Sequence, residues 1–73
     1  MQKGDWVVIY SIPVVKIGEV GEAELIEKLG ETLNTERWLV RFRGEAKLEK
    51  RSIGKPDIRL TKRILDLKKK YQK

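Results

Sequence analysis

Residues Arg37-Trp38-Leu39-Val40-Arg41-Phe42-Arg43 carry the two-residue period of a half-buried strand. Trp38, Val40 and Phe42 point one way, and Leu39, Arg41 and Arg43 the other. Gly44 turns the chain, and Lys47-Leu48-Glu49-Lys50-Arg51-Ser52-Ile53 follows as a partner strand. A hairpin with one apolar face must bury that face, so the rest of the chain has to complete a small β core.

The hydrophobic pattern proposes a register. Phe42 opposite Leu48 brings apolar residues together on the core face, and Arg41 then faces Glu49 on the other, a favourable cross-strand pair. This register needs a loop of odd length around Gly44, suited to a glycine at positive φ. The outward face would show Arg41, Arg43, Lys47 and Arg51, interrupted only by Glu49 and Leu39.

Before the hairpin, Trp6-Val7-Val8-Ile9-Tyr10 is short, aromatic and β-branched, and reads as a strand that Pro13 ends. The stretch 14–20 is a loop or irregular strand. Across Glu22 to Leu33, Leu25, Leu29 and Leu33 fit a helix face, but Gly30 weakens that reading. Val20 to Leu25 alternate instead, so a strand from about Gly18 to Lys28 is preferred, bulged near Leu25-Ile26 where the alternation slips. Gly30 to Glu36 is expected as a polar turn.

Beyond the hairpin, Gly54-Lys55-Pro56-Asp57 is a strong turn signal, and Ile58 to Leu60 can form a short last strand. Thr61 is a suitable N-cap for a closing helix. In it Leu60, Ile64, Leu67 and Tyr71 make one apolar stripe, with Lys62, Arg63, Lys69, Lys70 and Lys73 off it.

The charge is split along the chain. Residues 1–36 carry three Lys/Arg and seven Asp/Glu, a formal −4, whereas residues 37–73 carry fourteen and four, a formal +10. A short chain with its positive charge in one half can present a one-sided field that attracts polyanions. At 73 residues with neither cysteine nor histidine, disulfides, thiolate metal sites and the commonest general base are all missing. Enzymatic activity, a bound metal and a cofactor are therefore not expected. The acids Glu22, Glu24, Glu27 and Glu31 match no metal-loop spacing, and the glycines make no phosphate-binding fingerprint. Charged residues make up 38% of the chain, which fits a heat-adapted source. The longest apolar run, Trp6 to Tyr10, is far too short to span a membrane, and no signal peptide is visible. A cytoplasmic protein is the expectation.

Gly4-Asp5-Trp6-Val7-Val8, Gly18-Glu19-Val20, Trp38-Leu39-Val40-Arg41-Phe42-Arg43-Gly44 and Asp57-Ile58-Arg59-Leu60 together resemble the Tudor, chromo and KOW type of SH3-like barrel, over roughly Lys3 to Leu60. The resemblance implies a mainly β fold. A small five-stranded SH3-like barrel would span residues 1–60, with a C-terminal amphipathic α-helix over 61–73 packed on it as part of a single domain. The terminal helix is similar to that of small basic archaeal chromatin proteins, which bind duplex DNA through one face of a sheet. Carried over, this puts Trp38, Arg41, Arg43, Lys47 and Arg51 in the binding sheet. The acidic first half departs from that pattern and leaves less surface to DNA. Trp6, Tyr10, Trp38 and Phe42 could form a methyl-lysine cage of the Tudor kind, although core packing is the favoured role. Trp38 is kept as a base-stacking or groove-inserting candidate because it is read as opening a strand rather than sitting mid-strand.

The expected function is sequence-tolerant nucleic-acid binding, with duplex DNA ahead of RNA. Phosphates would be neutralised by the hairpin face and by Lys62, Arg63, Lys69 and Lys70, while the acidic half faces away from the nucleic acid or meets a protein partner. Two alternatives stand beside it. One is a protein–protein interaction module, with a protein partner or a second copy; the other is an RNA-binding accessory protein of the ribosome.

Overall fold

The architecture comes from a computed structural model that describes residues 1–56 and 61–71. Four strands and a helix follow in order: β1 (Trp6–Ile12), β2 (Ile17–Glu31), β3 (Thr35–Phe42), β4 (Leu48–Gly54) and α1 (Lys62–Tyr71). The strands form one antiparallel sheet in the order β1-β2-β3-β4. The mainly β expectation therefore holds, but the closed five-stranded barrel does not. Among the described residues the linear meander leaves β1 and β4 as edges, and closure needs a ladder between them. The fifth strand expected at 58–60 lies outside the described residues, as does Leu60 of the expected helix stripe.

One face of the sheet carries the core. Ile9, Ala23, Leu25, Trp38, Val40 and Ile53 cluster there, with Met1, Val7 and Phe42 packed against them. The ladder explains the grouping: Val7 faces Ala23, Ala23 faces Phe42, and Leu25 faces Val40. Burying a large aliphatic side chain contributes roughly 1.5–3 kcal/mol, so a core this small leaves little margin.

β2 is longer than the sequence pattern implies and runs through to Glu31. The 22–33 region is thus a strand and not a helix, and the polar turn shrinks to residues 32–34. The β2–β3 register shifts between Leu25 and Glu27, leaving Ile26 as the extra residue at the expected bulge. A second shift between Lys28 and Gly30 leaves Leu29 extra. These bulges let two alternation phases coexist in one strand, which is why the leucine spacing imitates a helix.

The hairpin register differs from the expected one by a residue. Arg41 faces Leu48, Val40 faces Glu49, Trp38 faces Arg51 and Glu36 faces Ile53. The six residues after Arg41 and before Leu48 make an even loop; Gly44 within it does adopt positive φ, at 81°. The physical reason lies in β4, whose two bulky apolar residues, Leu48 and Ile53, are an odd number of positions apart. Only one of them can face the core. The observed register buries Ile53 and leaves Leu48 exposed. Gly54 helps to hold it: a Cβ there would collide with the Pro13 carbonyl of the β1–β2 turn. The Lys55 amide also donates to the Asn34 carbonyl at 3.0 Å.

α1 starts as Thr61 predicts. Its hydroxyl accepts from the Ile64 amide at 3.4 Å, and its carbonyl from the Leu65 amide at 2.9 Å. Of the expected stripe, Ile64 is buried, Leu67 half-buried and Tyr71 exposed. No helix among the described residues is long and apolar enough to cross a membrane.

Candidate nucleic-acid interface

The observed register takes apart the four-residue basic face. Arg41 lies on the outer face, while Arg51 shares the core face with Trp38 and Glu49. There Arg51 donates to the Glu49 carboxylate at 3.1 Å and stacks on Phe42, 5.4 Å from the ring centre. Arg43 and Lys47 sit in the β3–β4 loop, both exposed. Trp38 is the fourth residue of β3 and only 3% exposed; its indole N–H donates to the Glu36 carboxylate at 3.0 Å. That indole is a core residue and presents no surface to a nucleotide. An aromatic cage of Trp6, Tyr10, Trp38 and Phe42 does not assemble either, because Trp6 leaves the sheet on the outer side, opposite to Trp38 and Phe42.

Nor does the acidic half face away. β2 lies between β1 and β3 and carries its glutamates directly opposite the basic strand. Arg41 donates to Glu24 at 2.8 Å and Arg43 to Glu22 at 2.9 Å. On the outer face each of these two arginines is thus met by a carboxylate. Part of the charge split along the sequence cancels where the two halves pair strand against strand. Beside these pairs, an open cleft of about 540 Å³ is lined by Glu19, Glu22, Glu45 and Glu49 against Arg43 and Arg51, so it disfavours an anion.

A second ion network ties the far end of the sheet. Lys28 bonds Glu31 at 2.7 Å and approaches Glu36 at 3.6 Å, while Lys55 reaches Glu31 at 2.6 Å. Hydrogen bonds from Lys28 and then Lys55 hold the Glu31 carboxyl down at about 2, and the same contact with Glu31 raises the Lys28 ammonium above its ordinary 10.5. The network staples the ends of β2, β3 and β4 and engages two more cations.

What remains is α1. Lys62, Arg63, Lys68, Lys69 and Lys70 stand against one acid, Asp66. All six ion pairs found among the described residues lie in the sheet and the segment after it, and none involves this helix. Lys62, Arg63, Lys69 and Lys70 are all exposed. In the hairpin, Arg37, Lys47 and Lys50 are likewise exposed and outside every ion pair among the described residues.

Sequence reasoning favours the core for Trp6, with an aromatic cage as the other option, and misses its exposed outer-face position. Trp6 is 47% exposed, on the outer face opposite Glu24, with the Arg43 guanidinium 4.9 Å from its ring centre. The signal is present in the chain. Trp6 opens its strand directly after the Gly4-Asp5 turn, and Val7 and Ile9 behind it take the core face. No protein-family model, curated protein or solved structure matches this chain.

Proposed function

We propose that this chain binds nucleic acid with little regard to base sequence, and that α1 supplies most of the phosphate contact. The observation that carries this reading is the run of cations on α1 outside every ion pair among the described residues, set against a hairpin in which Arg41, Arg43 and Arg51 are already engaged by glutamates. A cation outside every ion pair among the described residues can meet a phosphate at little internal cost, and each such meeting releases counterions from the nucleic acid. Arg41, Arg43 and Arg51 must first leave a carboxylate that stays nearby and repels the incoming phosphate. Lys47 and Lys50, and Arg37 beside them, are available as secondary contacts.

The expectation of duplex DNA rests on a flat basic sheet face. The exposed cations outside the ion pairs lie instead mostly on a helix, with Lys47 in a loop and Arg37 and Lys50 on strands, an arrangement that serves either a duplex or a single strand. Fluorescence anisotropy with labelled random-sequence duplex DNA, single-stranded DNA and RNA tests the proposal. Binding to at least one at about 50 mM salt, falling steeply by about 200 mM, is expected. No binding to any of them at the lower salt would overturn it.

A further inference from the structure

Trp6 is the first residue of β1, and the period of the strand sends its side chain away from the core that takes Val7 and Ile9. The residue is 47% exposed, although a tryptophan offers more apolar surface to bury than any other side chain. Arg43 lies over the ring at 4.9 Å, and its own guanidinium donates to Glu22 at 2.9 Å. The indole is thus oriented by a cation that is itself held by a carboxylate. In the same row stand Glu24 and Arg41, bonded to each other at 2.8 Å, and beyond them the exposed Leu48.

Charge around this ring is balanced pair by pair. Such a place does little for a phosphate but presents a flat π-surface backed by a guanidinium, which is what a nucleobase face recognises. Within a duplex both faces of an internal base are covered by its neighbours; an unpaired base has a face to offer.

Resting on the nucleic-acid reading above, the geometry points to Trp6 as a stacking platform for an unpaired base, and hence to single-stranded nucleic acid as the favoured ligand class. Two kinds of contact then divide the work. Cations on α1 hold phosphates in a salt-dependent way, and Trp6, with Arg43 behind it, adds a stacking contact that salt affects little.

The test compares a labelled single strand of about 12 nucleotides with a duplex of the same length, binding wild type, Trp6→Leu and Trp6→Phe. Circular dichroism and thermal melting first establish that the exposed-site variants fold. The single strand is expected to bind wild type more tightly and to quench its tryptophan emission, a quench absent in Trp6→Phe, which keeps only the buried Trp38. Trp6→Leu should lower single-strand affinity about 10-fold, with the salt slope and duplex affinity unchanged, and Trp6→Phe should recover most of the loss. Salt-dependent binding indifferent to Trp6→Leu overturns this inference while leaving the proposed function standing. Absence of any binding at low salt overturns both.

Discussion

Arg41 and Glu24 stand directly opposite each other in the β2–β3 ladder, and the guanidinium donates to the carboxylate at 2.8 Å. With Arg43 and Glu22 beside them at 2.9 Å, they show how acidic β2 offsets two of the outward arginines of the hairpin. Exposed pairs of this kind contribute within about 1 kcal/mol each, so they can be removed without unfolding the chain. Glu22→Gln with Glu24→Gln should free both arginines. Nucleic-acid affinity is then expected to rise by roughly an order of magnitude at low salt, with a steeper salt slope and a denaturation midpoint close to wild type. An unchanged slope would mean that these arginines stay out of phosphate contact even when freed.

Trp38 answers a different question. Its indole is buried and bonded to Glu36, so Trp38→Phe loses that bond and some packing, about 1–3 kcal/mol by urea denaturation. Affinity for nucleic acid, measured where the variant is fully folded, should match wild type. A selective loss of binding would return Trp38 to the interface.

Gly54 tests the register. Because a Cβ at this position would meet the Pro13 carbonyl, a backbone atom that cannot swing aside, Gly54→Ala should destabilise the fold by about 1–3 kcal/mol. Gly30→Ala is the control: it meets nothing within 4 Å and should be near neutral. Equal stability of the two variants would contradict the close approach of the β1–β2 turn to β4.

Acid sensitivity follows from Glu31. Its folded-state value of about 2 lies below its ordinary 4.5, so the stability it contributes is present above 4.5 and is lost as pH falls through about 2. Lys28, raised above 10.5, works in the opposite sense: its contribution is present below that value and is lost at still higher pH. Both groups are exposed and the effect is small. Between neutral pH and the Glu31 value, the urea midpoint should fall more for wild type than for Glu31→Gln. Equal falls would show that Glu31 contributes nothing to acid sensitivity.

Particular residues show how far the sequence can be read. The slip in alternation at Leu25-Ile26 marks a real bulge, and the period of 37–43 assigns each side chain of β3 to its correct face. Thr61 marks the start of α1. The β4 register is not legible, because Leu48 and Ile53 satisfy opposite registers equally well; tertiary contacts at Gly54 and Lys55 accompany the one adopted. Charge segregation misleads for a related reason. Local sequence says which strand is acidic and which basic, but not that the two are neighbours, and neighbourhood decides whether charges add or cancel. Trp6 and Trp38 are told apart by strand period together with strand start: Trp6 opens β1 out of phase with the apolar residues behind it, whereas Trp38 is in phase with Val40 and Phe42.

Among the described residues α1 carries the densest run of cations outside every ion pair, whereas Arg41 and Arg43 of the hairpin are held by glutamates. The most direct test of this is the slope of log affinity against log salt for a random-sequence single strand. It should be measured for wild type, for Lys68→Gln/Lys69→Gln/Lys70→Gln, and for Arg41→Gln/Arg43→Gln. Removing one phosphate-binding cation flattens the slope by about 0.7 on a single strand. The expected result is a slope flatter by about 1–2 units for the α1 variant and nearly unchanged for the hairpin variant. A wild-type slope in the α1 variant, with the flattening falling on the hairpin variant instead, would contradict it.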